Sequence, residues 1–365
     1  MNYFDIFKTA FLIFPVVSCF ITIPFILIEY HKYGSINKLR FLIIYSFILY
    51  LITIYFLVIL PLPSIEEVTN LNTPNKQLIP FKFVIDFIRE NPFNIMKPNT
   101  YIKGLCHSSF YTVVFNVFMT IPFGMYLRYY FKMNLKKTIK YSFLLSLFFE
   151  LTQLTGLYYI YPRSYRLFDV DDLMMNTLGG VLGYYITNIF SKLLPTRDEI
   201  DKKTFESAQE VSGFRRITLF CLDMIIFMFI YFLVYIIIGN NKYIKYLLFF
   251  IYFVIIPYFW NGFTFGSHFL NVSFYFSERR FFGLIIKSII PFIYYIFIPF
   301  NIICFLIWVI FSFNFNIKLK ILSLFGIVIL LILYYLINVI YLIRNKRMFY
   351  DEFSKVKYKN TLLES

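Results

Sequence analysis

The sequence predicts an all-α, polytopic integral membrane protein of about nine transmembrane helices, within a range of roughly eight to ten, in two helical bundles. Three observations carry that prediction. Of 365 residues, 59% are hydrophobic and 23% aromatic, with a mean hydropathy of +0.69, which lies outside the soluble globular range. Apolar runs near the ~20 residues needed to cross a bilayer recur along the whole chain. The Lys and Arg residues behind the formal net charge of +15 sit mainly in the loops between those runs.

The expected spans lie near residues 11–28, 41–60, 108–127, 139–156, 170–190, 217–238, 246–261, 284–312 and 321–343. The first follows only Lys8 and has no small-residue cleavage site, which argues against a removable signal peptide. The eighth contains Pro291 and Pro299 and reads either as a kinked helix or as an interfacial helix followed by a span. Between the second and third spans, the loop from Pro61 to Lys103 is too long for a hairpin. Its segment FKFVIDFIRE, Phe81 to Glu90, has the pattern of an amphipathic element at the membrane surface. The stretch PTRDEIDKKTFESAQEVS mixes acids and bases without an apolar face and reads as a cytoplasmic linker.

These features give a first transmembrane domain over 1–192, a linker over 193–212, a second transmembrane domain over 213–358 and a tail over 359–365. Most Lys and Arg fall on the side that includes the tail from Arg344. The positive-inside rule then places the chain in the cell membrane with its N-terminus outside and its C-terminus in the cytoplasm.

Composition also excludes several classes of function. Cys19, Cys106, Cys221 and Cys304 are scattered in or beside apolar segments and never fall in CxxC spacing. His31, His107 and His268 form no HExxH or similar pattern, so neither a metal nor another cofactor is expected. The bases follow topology rather than a nucleic-acid-binding patch, so no nucleic-acid partner is expected either. Membrane lipids are the expected surroundings.

The candidate site lies in the stretch from Ser142 to Tyr185. A helical rotation of about 100° per residue aligns Ser142, Ser146, Glu150 and Gln153 on one face. The same spacing aligns Asp169, Asp172, Asn176, Gly180 and Gly183 on the next helix, with Gly179 at the margin and Asp171 well off the stripe. A carboxylate near mid-membrane costs about 2.5–3.5 kcal/mol on insertion scales, so Glu150 reads as part of a polar outer-facing site, the alternatives being solvation near the interface or a structural bridge to Arg163 or Arg166. Asp169 also suits an N-cap at the positive end of the helix dipole. Gly179, Gly180 and Gly183 include a GxxxG pattern that lets another helix approach closely. Ser108, Thr112, Asn116 and Thr120 on the third span offer a third polar wall.

Asn116 with Ile121-Pro122-Phe123-Gly124, Glu150-Leu-Thr-Gln153, and Arg166 through Asp172 to Asn176 and Gly179–Gly183 resemble the VanZ-like membrane family in order and spacing. The resemblance covers about residues 40–192. It implies a role at the Gram-positive cell envelope, associated with low-level resistance to teicoplanin-type glycopeptides. Glu150, Gln153, Arg166, Asp169, Asp172, Asn176 and Asn116 would then form an outward-facing polar site. Its partner would be a glycopeptide or a lipid-linked envelope precursor.

Further on, Arg215, Arg216 and Asp223 open one span, and Thr264, Gly266 and His268 follow another. This half is similar to the RDD family, with His268 where a lysine usually stands and no clear match to the second aspartate. That resemblance implies ion-coupled transport centred on Asp223, with a structural pairing of Asp223 to Arg216 or His268 as the alternative. An enzyme acting on a lipid-linked substrate is a third reading, since paired carboxylates can serve as acid and base. No nucleophile elbow, phosphate-binding loop or metal spacing accompanies those carboxylates.

Overall fold

A computed structural model of the chain describes residues 3–192, 194–239, 241–276, 279–313, 316–345 and 348–363. The last two residues of the expected tail lie outside the described residues. The structure is helical almost throughout, apart from two short two-stranded sheets. Clustering of contacts divides it into two compact units. The first takes residues up to Ile21 together with Lys38–Ile200, and the second takes Thr22–Asn37 together with the described residues from Asp201 onward.

In the first unit, α1 (Tyr3–Tyr33, shared with the second unit) and α2 (Lys38–Ile59) are long and apolar. The expected outer segment follows as α3 (Ile65–Thr69), β1 (Lys76–Gln77), α4 (Lys82–Glu90) and α5 (Tyr101–Leu105). Ser64 and Glu67 close a capping box at the start of α3. The amphipathic element is α4, whose Val84, Ile85 and Ile88 are exposed.

α6 (Ser108–Tyr129), α7 (Leu135–Leu154) and α8 (Val170–Phe190) form the core of this unit, with α8 packed on both of the others. Asn134 caps α7 by accepting from the Lys137 N–H at 3.0 Å. α7 then stops at a left-handed turn in which Gly156, Leu157, Tyr158 and Tyr159 all have positive φ. After that turn, β2 (Phe168–Asp169) pairs in parallel with β1, Lys76 opposite Phe168 and Gln77 opposite Asp169.

The stretch expected to be a polar linker contains a helix, α9 (Arg197–Glu206). Ile200 and Thr204, one turn apart on this helix, are buried and supply the face that the surrounding charges conceal in the sequence.

The second unit contains α10 (Gly213–Ile238), α11 (Tyr243–Phe259), α12 (Phe265–Phe269), β3 (Val272–Phe276), α13 (Arg280–Ser312), α14 (Ile317–Asn345), α15 (Phe349–Ser354) and β4 (Val356–Asn360). β3 and β4 pair antiparallel from Val272 opposite Asn360 to Phe276 opposite Val356. The doubt over 284–312 resolves into one continuous helix, α13, which absorbs its prolines through a wide turn. Residues Ile293–Phe297 bond in the i→i−5 pattern just ahead of Pro299, as Ile251–Ile255 of α11 do ahead of Pro257.

Proline has no N–H, so each such site leaves a carbonyl without its helical donor. Side chains from neighbouring helices fill the gap. The Tyr334 and Tyr335 hydroxyls donate to the Tyr294 and Tyr295 carbonyls at 2.8 and 2.6 Å, and the Ser288 hydroxyl donates to the Phe253 carbonyl at 3.1 Å. In a hydrocarbon environment those carbonyls have no water to turn to.

Among the described residues, six helices are long and apolar enough to cross a membrane: α1, α2, α6, α10, α13 and α14. The other three expected spans exist as helices of a different character. α7 and α8 have the length, but their polar stripes, with lysines at the start of α7 and acids at the start of α8, make them less apolar, and α11 is short. An all-α membrane protein is the result.

Candidate functional site

The polar stripes of α7 and α8 meet inside the first unit. Ser142, Ser146, Glu150 and Gln153 are all buried, as is Asn176 on α8. The glycines permit this approach. A Cβ at Gly180 would overlap the Ser142 hydroxyl, one at Gly179 would overlap the Val117 carbonyl and one at Gly183 the Ile121 carbonyl. On the partner helix, a Cβ at Gly124 would collide with the Gly180 carbonyl, so α6 and α8 touch backbone to backbone.

This close contact assembles a hydrogen-bond network. The Asn116 side-chain amide donates to Asp172 Oδ1 at 2.6 Å, and the Thr120 hydroxyl donates to the Asn176 carbonyl at 2.7 Å. Asn176 Nδ2 donates to Ser146 Oγ at 2.9 Å, and Ser146 Oγ donates onward to the Asp172 carbonyl at 3.3 Å. Asn176 Oδ1 and the Ser142 hydroxyl are buried without a hydrogen-bond partner among the described residues.

Beside this network lies a cavity of about 660 Å³. Its polar lining includes Thr112, Asn116, Glu150, Gln153, Arg166, Asp172 and Asn176, and Leu57, Phe115, Met119 and Phe149 contribute apolar wall. Glu150 is held by its own loop, because the Asp169 backbone N–H donates to Glu150 Oε2 at 2.9 Å. Arg166 donates to the Val58 and Leu60 carbonyls at 2.6 and 3.0 Å, and Gln153 Nε2 donates to the Val58 carbonyl at 3.0 Å. Both side chains therefore satisfy carbonyls left open at the C-terminal end of α2. One cationic and two carboxylate side chains thus share one partly apolar cavity.

Asp169 is elsewhere engaged. Its carboxylate caps α8 by accepting from the Asp171 N–H at 2.8 Å, and Gln77 Nε2 donates to it at 3.4 Å. Burial pushes this carboxyl above the usual range, against the opposing pull of the Asp171 N–H. Asp169 contributes its backbone to Glu150 rather than a side chain to the cavity lining. Asp171, off the stripe in the sequence, accepts from the Phe81 and Phe83 N–H groups at 2.6 and 2.9 Å. It thereby binds the N-terminal end of α4 to α8, a contact across about ninety residues that no local pattern announces.

Arg163 is likewise structural, donating to the Leu71 and Thr73 carbonyls and to Asn75 Oδ1. The alternative pairing of Glu150 with Arg163 is not what the structure contains.

In the second unit, Arg215, Arg216, Asp223, Thr264, Gly266 and His268 do not form one cluster. Arg215 is fully buried and donates to the Gly34, Leu270 and Asn271 carbonyls and to Asn360 Oδ1. Asp223 accepts from the Tyr252 hydroxyl at 2.8 Å, the Thr264 hydroxyl at 2.6 Å and the Gly266 N–H at 2.9 Å. These partners differ from the alternative reading of a pairing with Arg216 or His268. Arg216 makes a buried ion pair with Asp351 and stacks over the Tyr358 ring at 3.9 Å, while His268 is exposed and stacks on Trp260 at 4.7 Å. Asp351 and Tyr252 escaped the sequence reading because only the tertiary fold brings them to Arg216 and Asp223. Among the described residues no group of His, Cys, Asp and Glu has the arrangement of a metal site.

The model of the VanZ/LLP1 family matches residues 47–191 of this chain. The matched segment contains Thr112, Asn116, Glu150, Gln153, Arg166, Asp172 and Asn176, and hence all the polar lining of the cavity named above. This N-terminal part is VanZ-like. No curated protein and no solved structure matches the chain.

Proposed function

From the VanZ/LLP1 match as premise, we propose that this envelope membrane protein uses the cavity of its first unit to engage an amphiphile of the cell envelope or a teicoplanin-type glycopeptide. The single observation behind this reading is the cavity itself, where Glu150, Asp172 and Arg166 stand in one space against an apolar wall. A site of that composition suits a ligand with a polar head and an apolar body. The distribution of Lys and Arg favours opening toward the outside, with the N-terminus outside and the C-terminus in the cytoplasm. Engagement of this kind would alter how much of a glycopeptide or its target is exposed at the membrane surface.

The test is teicoplanin susceptibility of a sensitive Gram-positive host that expresses the chain at matched membrane levels. The wild-type chain is expected to lower susceptibility several-fold, and Glu150→Gln, which removes the carboxyl from the cavity while keeping its shape, is expected to lose most of that protection. Equal protection by Glu150→Gln would remove the cavity from the explanation. Lack of protection by the wild type would set aside the glycopeptide reading and leave envelope lipids as the ligand class.

Two other readings have one observation each. Asp223 is a buried acid inside a membrane helix, as ion-coupled transport by an RDD-like second half requires, although its three donors already account for its charge. Identical sodium-dependent proton flux in vesicles of wild type and Asp223→Asn would remove this reading. Glu150 and Asp172 in one cavity could serve as acid and base on a lipid-linked substrate, and loss of such turnover in either Glu150→Gln or Asp172→Asn would be its signature.

A further inference from the structure

The second unit holds a separate cavity of about 260 Å³ lined by residues of α10, α11, α13 and α14 and by Tyr350 and Tyr358. Its walls are mostly apolar and aromatic, with Phe220, Phe249, Phe253 and Phe292 prominent. Three charged side chains reach it: Arg216, Asp223 and Lys287. The first two are already answered, Arg216 by Asp351 and Asp223 by the donors from Tyr252, Thr264 and Gly266.

Lys287 is different. It projects from α13, whose composition is that of a membrane span, and its ammonium sits 3.4 Å from the centre of the Phe274 ring and 5.9 Å from that of Tyr358. Asp223 and Asp351 act on it electrostatically from a distance, but among the described residues no carboxylate forms an ion pair with it. Aromatic faces stabilise a cation by less than it costs to hold an ammonium in an apolar site. The cavity therefore offers an ammonium with no carboxylate in contact, set among apolar walls.

We propose that this cavity binds a single-chain anionic amphiphile, whose carboxylate or phosphate head meets Lys287 while its alkyl chain lies along the phenylalanines. The head gives the ammonium the direct ionic contact it lacks, and the chain removes apolar surface from water. Ser288 has its hydroxyl committed to the Phe253 and Leu284 carbonyls, so the ammonium carries the selectivity for charge.

The test uses the full chain in nanodiscs of uncharged phosphatidylcholine and a decanoate carrying a photoreactive diazirine, with the crosslinked peptides mapped by mass spectrometry. Crosslinks are expected on α10 and α13 beside Lys287. Decanoate and decyl phosphate, as the two sources of the anionic head, should compete, with their relative strength identifying the preferred one. Decyltrimethylammonium, decanol and inorganic phosphate should compete at least tenfold less well. Lys287→Met should lower crosslinking at least tenfold and Lys287→Arg should preserve it, and Val339→Trp, which fills the cavity, should abolish it. Equal competition by the cationic and anionic amphiphiles on the wild-type chain would overturn the proposal without reliance on any variant. Unchanged crosslinking in a folded Lys287→Met protein would do the same.

Discussion

At the scale of single residues, the acids near the start of α8 share a sequence neighbourhood but have three different tasks. Asp169 caps its own helix, Asp171 caps α4, and Asp172 joins Asn116 at the cavity. Periodicity separated Asp172 from Asp171, because the two point about 100° apart around a helix. It could not say what Asp171 met, since α4 lies far away in the chain. Removal of that carboxylate leaves the Phe81 and Phe83 N–H groups without an acceptor. Asp171→Ala is expected to destabilise the docking of α4 by about 1–2 kcal/mol, the usual cost of losing a cap. Limited proteolysis of the segment 82–105 would report this as faster cleavage, and Asp171→Asn, which keeps one acceptor oxygen, should fall between the two.

At the scale of elements, the glycines of α8 set the distance at which α6 and α7 can approach. Each is matched to backbone or to a small side chain: Gly179 to Val117, Gly180 to Ser142, and Gly183 to Ile121. Apolar helices in a bilayer gain little from hydrophobicity against one another, so close packing and hydrogen bonding must hold this trio together. Gly179→Leu should separate α6 from α8 and lower the yield of monodisperse protein several-fold, as size-exclusion chromatography in detergent would show. Gly326→Leu is the control, because a Cβ there meets nothing within 4 Å. Yields that are equal for the two variants would mean that the glycine contacts do not govern assembly of the unit.

At the scale of the whole molecule, the two units treat buried charge differently. The second mostly satisfies it internally, through the Arg216–Asp351 pair, the carbonyls around Arg215 and the three donors to Asp223. The first directs Glu150, Asp172 and Arg166 into a shared cavity. Hydropathy made the membrane class legible, and helical spacing made the inward stripes of α7 and α8 legible. The same polar stripes explain why a count of apolar spans is ambiguous there: residues that build a site also reduce the apolarity by which a span is recognised. Pairings such as Arg216 with Asp351 stayed hidden because 135 residues separate the partners. The helix over Arg197–Glu206 stayed hidden because its charged residues mask a narrow buried face.

The most direct measurement of the central claim is the accessibility of Thr112, which lines the cavity of the first unit. With the four native cysteines replaced, Thr112→Cys in intact cells should react with a membrane-impermeant maleimide added outside, and prior incubation with teicoplanin should slow the reaction. A cysteine that reacts only after the membrane is permeabilised would contradict an outward-facing cavity and the function proposed for it.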